Sequence, residues 1–230
     1  MILVEKLASI QERIEKAQYR SGLKSKVILV AVTKNQPVNA IVEAQQAGLR
    51  QIGENRIQEA AWKFPLLGKD LDLTRRLIGH LQSNKVNKAL DLFHTIDSVD
   101  SLRLAQKINK RANSLGLIIP VLLEINTSGE IQKNGFFIND IEAQLECITL
   151  ENLRVDGLMT IGPLTKDKHT IRAAFKNLRK LLNNLNSQLS SGQSKLQELS
   201  MGMSSDFELA VEEGSTMIRL GTELFGPRET

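Results

Sequence analysis

The sequence contains a single cysteine, Cys147, so no intramolecular disulfide can staple the fold. Cys147 lies in IEAQLECITL, on what reads as the apolar face of a helix, and is expected to be a buried structural thiol. Aromatic residues make up only 4% of the chain, too few for the stacking platforms on which single-stranded nucleic acid is usually bound. Charge of one sign is scarce as well: 30 basic against 26 acidic residues leave a net +4 with no long basic block. That balance gives no reason to expect nucleic acid as a partner, and the short cluster Lys168, His169 and Arg172 reads as a solvated helix face. No apolar run approaches the roughly 18 residues of a membrane span. The opening MILVEKLASIQERIEKAQ mixes charged and apolar residues at helical spacing, which is neither an anchor nor a signal peptide. His80, His94 and His169 are well separated, and none forms a short ligand pair with cysteine or carboxylate, so no metal is expected. A G-x-S-x-G elbow is also missing, which counts against a Ser-His-Asp hydrolase.

What is there is enough apolar residue, 41% of 230, to fill one substantial core, and one domain over 1–230 is expected. Short β-branched or apolar runs alternate with stretches of helical period, the pattern of βαβ units on a parallel sheet. After an N-terminal helix over Ile2–Ser21, strands are predicted at Val27–Thr33, Gln51–Glu54, Thr74–Gly79, Phe93–Asp97, Pro120–Asn126, Val155–Thr160, Glu198–Met201 and Met217–Gly221. Helices are predicted between them, including Val38–Ala47, Val99–Leu115 and Lys168–Leu189, and the polar NSQLSSGQSK reads as a surface loop. Eight such repeats predict an α/β fold, a single (β/α)8 TIM barrel with an extra N-terminal helix, over an open doubly wound sheet.

In such a barrel the working groups stand at the C-terminal ends of the strands. The first strand ends in Lys34, the second in Gly53-Glu54-Asn55-Arg56, and the third in Gly79-His80 with Gln82 to Lys85 following. The fifth offers Glu124 and Asn126, the sixth Thr160, the seventh Ser200 to Ser205, and the eighth Arg219, Gly221 and Thr222. Lys34 follows seven apolar or small residues. Desolvation there would lower its pKa and free the amine to attack a carbonyl, though its position equally fits a lysine snorkelling into solvent. Ser204 and Ser205 are predicted to open a helix, as an anion cradle or simply as an N-cap. Gly221, lacking a Cβ, would let the backbone approach a ligand closely. Period-2 alternation turns Arg219 and Gly221 into the barrel and Ile218 and Leu220 outward. A buried guanidinium needs partners, either Glu124, a ligand acceptor such as a pyridine nitrogen, or both.

Five motifs in order, AVTK, GENRIQE, GHLQSNK, LSMGMSSDFELAV and STMIRLGTELFG, make the sequence resemble the YggS/PROSC family of pyridoxal phosphate homeostasis proteins over nearly its whole length. AVTK stands where relatives often read AVSK, and IGPL follows the sixth strand where relatives vary; neither touches a residue assigned to the cofactor. The resemblance implies a fold-type III barrel, similar to the barrel half of bacterial alanine racemase, with pyridoxal 5′-phosphate (PLP) held as an internal aldimine on Lys34. It implies that Asn55 lies near the cofactor ring and that Arg219 donates to the pyridine nitrogen. Ser204, Gly221 and Thr222, with the backbone around Met203, would hold the phosphate.

A racemase needs an acid/base on each face of the cofactor, and related racemases supply the second from another domain, commonly as tyrosine. No such domain is expected here, and the one tyrosine, Tyr19, falls in the N-terminal helix. Arginine at the pyridine nitrogen also leaves the ring a weak electron sink. The resemblance therefore implies a cytoplasmic carrier that buffers PLP and passes it to apo-enzymes, with amino acids as further ligands. A racemase or lyase using His80, Glu124 or water is the alternative, and a cofactor-free barrel aldolase using Lys34 is a third. Lys133 in EIQKNGF is open between a second PLP contact and a solvated loop lysine. A complete barrel without an obvious exposed apolar stripe predicts a monomer.

Overall fold

Segments such as ILVAV and VLLEIN are apolar at successive positions, as strands buried on both faces must be. In the computed structural model, which describes residues 2–23, 26–68, 71–130 and 132–226, these segments form one closed parallel barrel. The strands are β1 (Ile28–Val32), β2 (Gln51–Glu54), β3 (Thr74–Leu77), β4 (Thr95–Val99), β5 (Ile119–Asn126), the two-residue β6 (Phe136–Phe137), β7 (Leu153–Met159), β8 (Glu198–Ser200) and β9 (Met217–Leu220). Hydrogen bonding runs β4-β3-β2-β1-β9-β8-β7-β5, and β5 pairs back onto β4 to close the ring. The helices are α1 (Ile2–Ser21), α2 (Val38–Gln46), α3 (Ile57–Lys63), α4 (Val86–Leu92), α5 (Leu102–Leu115), α6 (Ile141–Ile148), α7 (Lys168–Gln188), α8 (Phe207–Glu212) and α9 (Thr222–Phe225).

Two cores result. Outward-facing residues such as Ala31, Ile52, Leu77, Ile96, Leu123, Leu158, Ile218 and Leu220 pack under the helices. Inward-facing Val30, Leu122, Met159 and Met217, with Ile28 against them, fill the lumen. The predicted alternation at β9 holds: Ile218 and Leu220 lie in the outer core, whereas Met217 is in the lumen. Cys147 is fully buried on α6, and burial pushes its thiol up to about 12, out of reach of thiolate chemistry.

Local signals set several boundaries. Asp167 caps α7, its carboxylate accepting from the N–H groups of His169 and Thr170. Gly116 ends α5 in the left-handed conformation at φ 66°, where a Cβ would be strained. The fourth strand differs from Phe93–Asp97: it runs Thr95–Val99, and α5 starts at Leu102 instead of Val99. Phe93 instead closes α4, its N–H donating to Ala89, while its ring meets Phe64 edge-on at 5.4 Å. Ser101 is the cap of α5, accepting from Leu104 N–H at 3.3 Å, so Val99 and Asp100 cannot be helical. β6 was not predicted; it pairs with Ile125 and Asn126 beside the barrel. Of NSQLSSGQSK, the first three residues complete α7 and the rest is loop. Arg172 is not simply solvated: it pairs with Glu212 and Glu213 and joins α7 to the end of α8. α1 packs across the same side, with Ile10, Ile14 and Ala17 buried, Arg13 paired to Glu208 and Glu223, and its guanidinium 4.5 Å from the Phe207 ring centre. No described helix is long and apolar enough to cross a membrane.

Candidate functional site

At the C-terminal end of the barrel a cavity of about 620 Å³ opens between the strand ends. Lys34, Asn55, Met203, Ser204, Arg219, Gly221 and Thr222 all line it, together with Val32, Gln36, Ile78, Ile161, Ser205 and Gly226. Residues from both ends of the chain meet because β1 lies next to β9 in the ring, with Val30 opposite Arg219. Lys34 and Arg219 are the only titratable side chains lining the cavity among the described residues.

Arg219 is 5% exposed and held by acceptors from two neighbouring strand ends. Its Nη1 donates to Ser200 O at 2.8 Å and Ser200 Oγ at 2.7 Å, and its Nη2 donates to Thr160 O at 2.8 Å. Thr160 is fixed in turn by its hydroxyl, which donates to Ile125 O at 2.7 Å. Glu124, the protein partner expected from sequence, makes no direct ion pair with Arg219; two carbonyls and the Ser200 hydroxyl take the place of the carboxylate. The guanidinium has five N–H donors, and these contacts use three of them. Burial pulls the Arg219 pKa down, opposed by Asp97, Glu124 and Asp206.

Burial, reinforced by Asp100, raises the Glu124 carboxyl to about 7, against the opposing pull of Arg219 and His80. In the folded protein Glu124 therefore keeps a proton that it loses near 4.5 when unfolded. Its contribution to stability is fully present below about pH 4.5, and falls by about 1.4 kcal/mol per unit as pH rises towards 7. Urea unfolding of Glu124→Gln should show the variant gaining on the wild type between pH 5 and 8; parallel profiles would refute this reading.

Asn55 is positioned by close backbone approach. A Cβ on Gly79 would sit 2.3 Å from Asn55 O, so only glycine lets the end of β3 pass this close to β2. Asn55 Oδ1 is buried without a hydrogen-bond partner, an acceptor waiting for a donor. On the opposite wall the predicted helix start is corrected. α8 begins at Phe207 with Asp206 before it, and Ser204 and Ser205 stand in the preceding turn. Asp206 folds back to accept from Met203 N–H at 2.6 Å, so that N–H is already engaged. Ser204 Oγ instead accepts from Glu223 N–H in the first turn of α9, at 3.4 Å. The N–H groups of Ser204 and Ser205 have no protein acceptor among the described residues. Gly221 is not demanded by the protein's own packing, since an added Cβ would meet nothing closer than Val32 O at 3.4 Å.

The remaining candidates lie elsewhere. His80 bonds Asp100 at 2.9 Å and lines a neighbouring cavity with Arg56, Gln82 and Lys85. Tyr19 is 90% exposed on α1. Lys133 is not simply solvated: it pairs with Glu130 at 2.6 Å and donates to Gly162 O at 3.2 Å, tying two loops together. Thr160 and Ser200, which seat Arg219, were visible as strand-end residues but carried no role in the sequence reading. No cluster of three or more His, Cys, Asp or Glu side chains suits a metal ion among the described residues.

The barrel and this cavity define a (β/α)8 protein that carries its ligand groups on strand ends. The profile of the family described as alanine racemase, N-terminal domain, matches residues 6–229. The pyridoxal phosphate homeostasis protein of Aquifex aeolicus is 40% identical, with 98% of each chain covered. Its counterpart in Pseudomonas aeruginosa is also 40% identical, over 99% of this chain and 96% of that one. PipY of Synechococcus elongatus PCC7942, solved with PLP bound, superposes with a TM-score of 0.84 at 42% identity, covering 97% of this chain and all of PipY. The chain belongs to the alanine racemase N-terminal domain family, among its pyridoxal phosphate homeostasis proteins.

Proposed function

We propose that this protein is a cytoplasmic PLP carrier that holds the cofactor through Lys34, limits the free aldehyde and hands it to apo-enzymes. The observation that carries the reading is the cavity lining itself. It offers one amine, one fixed guanidinium, an unpartnered buried acceptor at Asn55 Oδ1 and two N–H groups at Ser204 and Ser205. Those groups match the aldehyde, the ring and the phosphate of PLP, a phosphorylated aldehyde with a hydrogen-bonding ring. Asn55 would accept from a donor on the ring or its attachment, and Arg219 would donate to the pyridine nitrogen. Ser204, Ser205, Gly221 and Thr222 would surround the phosphate. When bound, PLP supplies an aldehyde that condenses with amines and a ring that withdraws electrons.

The lining supports carriage over turnover because, among the described residues, no tyrosine, histidine or carboxylate faces the cavity as a second acid/base. Amino acids that exchange with Lys34 are the small-molecule partners of this reading, apo-enzymes the protein partners, and a monomer over 1–230 the acting species. Purified wild type should show a yellow band that borohydride fixes to Lys34, and Lys34→Ala should lack it. Excess protein should not exchange the α-hydrogen of an amino acid with deuterium. A colourless wild type that stays colourless with added PLP would overturn the reading. Glu124, with its carboxyl near 7, favours a second reading as a racemase or lyase, which steady α-exchange lost in Glu124→Gln would establish.

A further inference from the structure

Lys34 stands between two residues whose backbones are held by one largely buried ionic cluster. Lys63, at the end of α3 and 1% exposed, donates to Thr33 O at 2.6 Å, Glu54 Oε1 at 2.9 Å and Glu59 Oε1 at 2.5 Å. An ammonium has three N–H donors, and each is engaged. Thr33 Oγ1 donates to the same Glu54 oxygen at 2.7 Å, and Asn35 N–H donates to Glu59 Oε1 at 2.6 Å. The residue before Lys34 is thus tied to Lys63 and Glu54 and the residue after it to Glu59, and Lys63 joins the two carboxylates. Gln36 N–H closes the turn onto Thr33 O at 3.0 Å.

Two physical points make this more than packing. Asn35 has φ 57°, the one positive φ outside glycine among the described residues, a conformation that asparagine adopts more readily than most residues and from which its N–H reaches Glu59. Burying charges is also a poor way to fill space, since apolar residues of similar volume are often as stabilising or more so. Desolvation raises the Glu54 carboxyl, opposed by Thr33 and Lys63, so the cluster exists against an electrostatic penalty. Its contacts converge on the turn that carries Lys34.

We propose that Lys63, Glu54 and Glu59 are positioning residues that fix the direction in which Lys34 presents its amine to the cavity, and so set how tightly PLP is retained. This rests on the reading of Lys34 as the cofactor's anchor. It adds to that reading three residues outside the lining of the main cavity.

Glu59→Ala carries the test, because Glu59 is 17% exposed by side chain and its loss leaves the Lys63–Glu54 pair in place. Lys63→Met removes the cation that joins Thr33 O, Glu54 and Glu59, and if it fails to fold, Glu59→Ala decides alone. Leu178→Ala, a core truncation on α7, serves as a destabilised control. The readouts are the PLP dissociation constant, the pH midpoint of the visible band and, in PLP-free protein, the acylation rate of Lys34 by a small reagent, followed by mass spectrometry. Glu59→Ala should bind PLP roughly tenfold more weakly, with a displaced pH midpoint and an altered Lys34 acylation rate. Leu178→Ala should lose stability and move none of the three. Wild-type values in folded Glu59→Ala, or equal changes in Leu178→Ala, would overturn the proposal. If wild type holds no cofactor on Lys34, the anchor reading fails, whereas acylation of PLP-free protein still decides whether the cluster orients this lysine.

Discussion

Replacing Arg219 by methionine is expected to lower the unfolding free energy by about 3–5 kcal/mol and to abolish stable retention of PLP. The size follows from what stays behind. Ser200 Oγ and Thr160 O each lose their donor in a buried site, where an acceptor left unpaired costs about 1–3 kcal/mol, while Ser200 O keeps the N–H of Thr160 at 3.1 Å. Asp97, Glu124 and Asp206 lose the cation whose charge they share. Because Arg219 holds the Glu124 pKa down, its removal should also push that carboxyl up from about 7. Urea unfolding at pH 7 and the visible band of protein incubated with PLP measure both effects. Near-normal stability with the band intact would mean that Arg219 neither seats the barrel mouth nor meets the cofactor.

Gly157→Ala is expected to destabilise by about 3 kcal/mol or more, at the upper end of what overpacking costs. An added Cβ would lie 2.0 Å from Glu198 O and 2.6 Å from Glu198 C, and both are backbone atoms that no side-chain rotation can move. Gly157 stands opposite Glu198 in the β7–β8 register, so β8 would have to leave β7. β8 has three residues and ends in Ser200, which supplies two of the three acceptors that hold Arg219. The defect should therefore reach the cavity: PLP retention should fall with the unfolding midpoint. An alanine variant with wild-type stability would show that β7 and β8 part without loss.

These two positions differ in how legible they were. Arg219 could be read as inward-facing because Met217-Ile218-Arg219-Leu220-Gly221 alternates, and a strand has a fixed period of 2. Its partners could not, since Thr160 and Ser200 lie far away in sequence and meet it only through barrel closure. Gly157 gave only the weak sign of a lone glycine in a strand, which does not say which backbone comes close. The turn before α8 shows the same limit. Ser204, Ser205 and Asp206 are all good caps; Asp206 closes a local bond to Met203 N–H, and only the approach of α9 set Ser204 against Glu223.

Local chemistry determined the alternation of strands and helices, the buried Cys147, the caps at Asp167 and Gly116, and which residues stand at strand ends. Those features depend on periodicity, dihedral preference and hydrogen bonds within a few residues. Tertiary structure alone decided that Lys34 and Arg219 share one cavity, that carbonyls and not Glu124 seat the guanidinium, and that Lys63 reaches across from α3 to hold the turn bearing Lys34. Each of these depends on distance through space, which the closed ring of strands fixes.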